Sequence, residues 1–179
     1  MGKFQQLQGI FLLVLWTMII PAIILLVTRD ISIGWNLNFP INLILIFIGC
    51  CSACFGFWLM IRTSLLLVNI GKGTTSPFAP PEILVVTDIY QYVRNPMMIG
   101  VLFTVLGEII IFGSLFLFGY LLICFVILHI AFLIYEEPEL IKRFEDDYRL
   151  YKKNVPRWIP RLKPWTELSK KRPSTKEKD

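Results

Sequence analysis

The stretch RNPMMIGVLFTVLGEIIIFGSLFLFGYLLICFVILHIAFLIYEEP, residues 94–138, decides the fold. Between Arg94 and Glu136 it carries one formal charge, Glu108, and one turn signal, Gly113-Ser114. A hydrocarbon core about 30 Å thick is crossed by roughly 20 apolar residues at 1.5 Å rise each. The stretch therefore reads as two membrane helices, one from Met97 to about Phe112 and one from about Leu115 to Tyr135. A two-residue connection makes them an antiparallel hairpin, since nothing longer is available to carry the chain elsewhere. Polar clusters stand at both open ends, Arg94-Asn95-Pro96 and Glu136-Glu137-Pro138, so groups far apart in sequence meet at one membrane interface.

Working outward, two further apolar runs precede the hairpin. One extends from about Gly9 to Thr28; the other extends from about Phe39 to Met60 or slightly beyond and is closed by Arg62. The first is a retained span and not a cleaved leader, because Pro21 interrupts it and no A-x-A pattern follows. Of 179 residues, 55% are hydrophobic and only 17% charged, against roughly 25% charged in soluble domains. Mean hydropathy is +0.64. The fold class is all-α: a polytopic membrane helical bundle of about four transmembrane helices with an amphipathic C-terminal helix.

Lys and Arg placement sets orientation. Thirteen of the 18 basic residues follow Tyr135, and the loop from about Arg62 to Arg94 holds Arg62, Lys72 and Arg94. The connections on the other side hold only Arg29. Both termini are expected in the cytoplasm, and a basic tail beside an anionic leaflet accounts for the net charge of +5 without a nucleic-acid partner. Cys50, Cys51 and Cys54 fall inside the second span and Cys124 inside the fourth, so they read as small packing residues; no metal site is expected. No internal repeat supports a transporter of duplicated halves. A bacterial inner membrane fits the lack of a retrieval or lipidation motif.

The polar segments carry the candidate chemistry. Gly71 to Pro77, followed by Pro80-Pro81, breaks any helix and lacks the spacing of a phosphate loop. Glu82 to Tyr90 is rich in β-branched residues and reads as extended chain at the membrane surface. Asn95 and Pro96 suit a helix cap and first turn. Gly100, Thr104 and Gly107 form a small-residue stripe that admits another helix closely. Glu108 lies near the outer interface, where an ionisable group is tolerated. His129, the one histidine, precedes Glu136 by seven residues, which predicts one shared helix face. Leu140, Phe144, Tyr148 and Tyr151 make one apolar face of an amphipathic helix lying against the membrane or the bundle. Beyond about Trp165 the chain is basic and predicted to be disordered.

These residues carry a resemblance. Gly71-Lys72-Gly73-Thr74 with Pro80-Pro81, Leu84-Val85, Tyr90, Arg94-Asn95-Pro96-Met97, Gly100, Glu136-Glu137-Pro138, Phe144, Tyr148, Tyr151 and Val155-Pro156-Arg157-Trp158 resemble the isoprenylcysteine carboxyl methyltransferase and phospholipid methyltransferase superfamily. The match covers roughly residues 70 to 160; the first two spans show no comparable signature. It implies a membrane enzyme using S-adenosylmethionine without a Rossmann-like sheet, acting on a lipidic or membrane-delivered acceptor. By motif, Glu82, Ile83, Leu84, Val85, Tyr90, Asn95, Pro96, Met97 and Met98 are expected to line the cofactor, with Glu136 opposite and Arg94 pairing with its carboxylate. His129, Glu136 and Arg94 are the candidate catalytic groups.

Departures qualify the match. Glu82-Ile83 stands where the superfamily usually has His-Lys, and Met98 where it usually has Tyr. Phe132 replaces the Arg that holds a prenylcysteine carboxylate in the protein-processing members, so that substrate is not assigned. The expected organisation is a two-span region at 1–68, a methyltransferase core at 69–165 and a basic tail at 166–179. The alternative is a non-catalytic membrane bundle that assembles with partners.

Overall fold

The computed structural model describes residues 3–31, 34–35, 39–73 and 81–168, and every regular element among them is helical. The first apolar run forms α1 (Lys3–Val14) and α2 (Ile20–Thr28), joined through a π-helical turn at Leu15–Ile19. The second forms α3 (Ile41–Asn69). The hairpin is α4 (Pro96–Phe112) and α5 (Leu115–Ala131), and a second π turn at Phe132–Glu136 leads into α6 (Glu137–Asn154). Helical stretches beginning at Leu7, Ile41 and Leu115 are long and apolar enough to cross a membrane. With 17 residues α4 is shorter; at 1.5 Å per residue it reaches about 25 Å, the lower end of what a span needs.

The hairpin turn forms where the sequence marks it. Gly113 adopts a left-handed conformation (φ 64°) that closes α4, and the Ser114 side chain accepts a hydrogen bond from the Leu117 amide to open α5. Trp35 covers this turn, its indole N–H donating to the Ile110 carbonyl at 2.8 Å. On the other side of the hairpin, Trp16 stacks on Tyr120 with ring centroids 6.4 Å apart. Ile20, Ile24 and Leu25 join it against Val105, Ile109, Leu117 and Cys124.

Two boundaries differ from the sequence reading. Helix α3 passes Arg62 and runs to Asn69, because Thr63 and Leu66 still bury a face. Arg62 stays on the helix and pairs with Asp88, Nε to Oδ2 2.9 Å. The fourth helix does not stop at Tyr135; only its apolar part does, and the backbone continues into the charged α6. Proline explains how. Pro21 and Pro138 each stand six residues after the first residue of a π turn. A proline ring clashes with the carbonyl four residues back and offers no N–H, and a wider turn moves that carbonyl away. In a π turn bonded across five residues, the carbonyls lacking a donor are those of Trp16 and Leu133. The Tyr120 hydroxyl donates to the first, at 2.7 Å.

The segment expected to be extended from Glu82 to Tyr90 closes in a 3-10 helical turn at Asp88–Gln91, and it is more enclosed than a chain lying on a membrane surface. The amides of Glu82 and Ile83 bond the Gly71 carbonyl at 2.9 and 3.1 Å, folding the segment back on the end of α3. Val85 and Val86 are buried. The apolar face of α6, with Leu140, Tyr148 and Tyr151, packs on Val86, Val155, Trp165 and Leu168. Ordered packing thus continues through Leu168; the rest of the basic tail, and Thr74 to Pro80, lie outside the described residues.

The closest helix contact is between α3 and α4, and it is made of glycines. A Cβ on Gly107 would lie 2.5 Å from the Gly49 carbonyl oxygen, and one on Gly100 2.8 Å from that of Gly56. A Cβ on Gly119 meets nothing within 4 Å. Gly107→Ala is therefore expected to lower stability by about 1–3 kcal/mol through overpacking, whereas Gly119→Ala leaves it unchanged or raised. Thermal unfolding of both variants in the same detergent checks the pair, and equal melting temperatures would refute the close approach.

Candidate functional site

The polar end of the bundle, where α3 closes, α4 opens and α6 emerges, gathers the residues singled out from the sequence. Glu137 is its hub. Its side chain is 4% exposed, and Arg94 lies 3.6 Å from its Oε2. Lys152 and Arg157 also bond it, at Oε1 and Oε2 respectively. Burial pushes the Glu137 carboxyl up, but the Lys152 hydrogen bond and the charges of Arg157, Lys152 and Arg94 outweigh it and hold the pKa below its ordinary value. Arg94 bonds protein through two of its nitrogens: its Nε donates to the Val155 carbonyl at 2.9 Å and its Nη1 to the Tyr148 hydroxyl at 3.2 Å. That geometry makes it a clamp between the start of α4 and the end of α6. Its backbone amide also bonds the Pro156 carbonyl.

The same strap positions Tyr90. Its carbonyl accepts from the Tyr151 hydroxyl at 2.7 Å, and the neighbouring Gln91 and Tyr92 carbonyls accept from the Trp165 and Arg161 amides. Burial, reinforced by the Glu136 charge, pushes the Tyr90 phenol well above its ordinary value, so its hydroxyl stays protonated beside that carboxylate. Glu136, just past the apolar stretch, keeps accessible surface. Yet burial by surrounding protein pushes it up to about 7, with the Arg157 guanidinium pulling the other way.

Three buried polar atoms in this region lack a hydrogen-bond partner: Thr87 Oγ1, Asn95 Nδ2 and Arg157 Nε. Asn95 occupies the N-cap position of α4, but its side chain makes no capping bond. The cap reading therefore holds for its place in the chain and fails for its amide. Unpaired buried donors are costly, about 1–3 kcal/mol each, and they fit a polar ligand that supplies acceptors. Pro96 is buried, Met97 and Met98 are half-buried, Leu84 packs beside Val86, and Glu82 is exposed.

A π turn lies between His129 and Glu136. The two still meet neighbouring residues of one segment: the Arg157 charge acts on Glu136, and the His129 ring meets Trp158, whose indole N–H donates to Nδ1 at 3.1 Å, and stacks on Phe125 at 6.0 Å. Phe132 is 4% exposed, with the Arg157 guanidinium 4.6 Å above its ring. A guanidinium therefore does reach the place where the sequence has none, carried by another element. Glu108 stands apart, near the hairpin turn, with Oε2 buried and unpartnered. Cys50, Cys51 and Cys54 are exposed and Cys124 buried. Among the described residues no group of three His, Cys, Asp or Glu side chains is placed to hold a metal ion.

Sequence reasoning passed over Glu137, Arg157, Trp158 and Thr87 as site residues. The first three stand inside the quoted motifs, so the signal was present; Thr87 had none.

A family model described as phospholipid methyltransferase matches residues 44–147, more than half of the chain. The chain belongs to the phospholipid methyltransferase family, within the superfamily its motifs resemble. The matched region starts in α3 and so includes the second span, where motif reading found nothing; the glycine pairing of α3 with α4 is the physical reason to count it as core. No curated protein matches the sequence.

Removing one partner of a buried ion cluster costs about 3–5 kcal/mol. Glu137→Gln, which leaves Arg94 and Arg157 without their countercharge, is expected to cost that much, while Lys152→Met at the exposed side costs under about 1 kcal/mol. Because the Glu137 pKa is lowered in the fold, its contribution is present at neutral pH and lost as pH falls through the folded value, below the ordinary carboxylate range. Thermal unfolding across an acid pH series, wild type against Glu137→Gln, measures both effects.

Proposed function

We propose that the chain is an integral membrane methyltransferase that takes its methyl group from S-adenosylmethionine and passes it to a lipidic or membrane-delivered acceptor at the polar end of the bundle. The observation that carries this is the set of unpartnered donors on the segments that meet at this end, Thr87, Asn95 and Arg157, together with the Glu136 carboxyl, which interacts with Arg157 and Tyr90. A zwitterionic, hydroxyl-bearing cofactor meets both: acceptors for the donors and positive charge for the carboxylate. When bound, it supplies a sulfonium methyl group already activated for in-line displacement.

The protein's part is then positioning and exclusion of water. Glu136 holds the positive portion of the cofactor. Tyr90, kept protonated, forms a wall and offers a donor, and Asn95 offers its amide. Met97, Met98 and Leu84 supply apolar lining. Arg94 acts through Glu137 and Tyr148, fixing the start of α4 relative to α6. His129, deeper along α5, faces the acceptor. A carboxylate acceptor carries no proton to remove; an amine or hydroxyl must lose one, and the groups at hand are the Glu136 carboxylate and the His129 imidazole. The Lys and Arg distribution supports a cytoplasmic setting for this end of the bundle.

Isothermal binding of S-adenosylmethionine to the detergent-solubilised chain is the direct test. Glu136→Gln and Asn95→Ala are each expected to weaken binding about tenfold or more, the worth of one hydrogen bond to a charged partner. Because Glu136 titrates near 7, wild-type affinity is expected to rise as pH climbs through that value, as the carboxylate forms, and Glu136→Gln to flatten the dependence. Radiolabelled methyl transfer into a lipid extract then reads the acceptor. A chain that binds no cofactor at any pH is the non-catalytic bundle instead.

A further inference from the structure

The contact between Trp158 and His129 joins the turn after α6 to the interior part of α5. An indole N–H can only donate, since its nitrogen has no free lone pair. At 3.1 Å from His129 Nδ1, it requires that nitrogen to present its lone pair. The neutral imidazole then carries its proton on Nε2. In that state neither ring nitrogen has a lone pair to spare: one is taken by Trp158 and the other is protonated. The pair is also held as a unit. The Phe125 and Trp158 centroids are 5.0 Å apart, those of His129 and Trp158 5.9 Å, and Phe125 lies nearly parallel to His129 with an interplanar angle of 16°.

We infer that Trp158 is a positioning residue that fixes His129 as its Nε2–H tautomer, so that His129 offers the methyl acceptor a hydrogen-bond donor for an oxygen atom rather than a base. The inference rests on the methyltransferase reading only for the identity of what His129 meets; the tautomer itself stands on the Trp158 contact. Any proton an amine or hydroxyl acceptor releases then goes to the Glu136 carboxylate or to water, not to His129.

His129 is the one histidine in the chain, so protein labelled with 15N-histidine, purified through a tag without histidine, gives one imidazole. The expected spectrum has a protonated Nε2 and an unprotonated, hydrogen-bonded Nδ1. Trp158→Phe keeps an aromatic ring against Phe125 but removes the indole N–H. It is expected to move the Nδ1 resonance towards that of a free lone pair and to admit the second tautomer, while thermal stability confirms the fold. For turnover, Gln places its amide near the Nε2 position of histidine and Asn near the Nδ1 position. His129→Gln is thus expected to retain more activity than His129→Asn, and Trp158→Phe to lose about two- to tenfold in kcat, one neutral hydrogen bond's worth. A wild-type Nδ1 that is protonated, or a Nδ1 resonance unmoved in Trp158→Phe, overturns the inference. If Trp158→Phe does not fold, the wild-type Nδ1 resonance decides: one at the free lone-pair position overturns it equally. The spectra need no methyl transfer, so they separate failure of this inference from failure of the function proposed above.

Discussion

Glu137 is a buried carboxylate with three cations around it, and the polar end of the bundle depends on that cluster. Taking a carboxylate out of water costs several kcal/mol even after relaxation. A single partner rarely offsets that. Glu137 has Arg94 from the start of α4, Lys152 from the last turn of α6 and Arg157 from the turn beyond it. Each arginine also reaches another element: Arg94 bonds the Val155 carbonyl and the Tyr148 hydroxyl, and Arg157 lies over the face of Phe132. One charge thereby fixes four segments relative to one another, and those segments are the ones that carry Tyr90, Asn95 and Glu136.

The second constraint is proline inside a helix that must not break. An open helix end within or beside hydrocarbon would leave backbone groups unsatisfied at several kcal/mol each. The two π turns keep the backbone helical past Pro21 and Pro138. For α2 the released carbonyl is met by Tyr120, which also binds the N-terminal helix to the hairpin. For α5 the consequence is directional. The wider turn ends at Glu136, so Glu136 and Glu137 leave the helix at angles that a uniform α-helix would not give them. Glu137 goes to the cation cluster, and Glu136 lies within the influence of Tyr90 and Arg157.

What could be read from residues alone follows from periodicity and turn chemistry. The hairpin was legible because Gly113-Ser114 is the one interruption in a long apolar run, and the α6 face because Leu140, Phe144, Tyr148 and Tyr151 recur at helical spacing. Gly100, Thr104 and Gly107 announced a close helix neighbour without naming it; Gly49 and Gly56 on α3 are that neighbour. The division of labour between the adjacent glutamates was not legible, since it depends on cations at 94, 152 and 157 that only the folded chain brings together. Asn95 read as a cap because Asn before Pro usually is one. That its amide is instead buried and unpartnered is a tertiary property with no local signature. The π turn between His129 and Glu136 was not legible from apolar spacing, although Pro138 carries its local cause.

The separation of His129 from Glu136 along the helix bears on how such a site admits two unlike molecules. Seven residues at about 1.5 Å each place His129 roughly 10 Å deeper towards the apolar region than Glu136. On the proposed reading, the charged cofactor is held at the shallower level, where Glu136 interacts with Tyr90 and Arg157 and water can deliver it. The acceptor meets the deeper level, where Phe125, His129 and Trp158 form a surface that is mostly apolar with one fixed polar nitrogen. A lipid moving in the bilayer plane presents its oxygen-bearing groups at that depth and its chains below it. Leu122 and Val126 on α5 are exposed apolar residues that continue deeper from His129 along the helix. A single polar donor is suited to such a level, because an additional charge there would face hydrocarbon without a partner. The chemistry and the membrane thus impose the same order on α5: charge at its end, one donor two turns in, and hydrocarbon contact beyond.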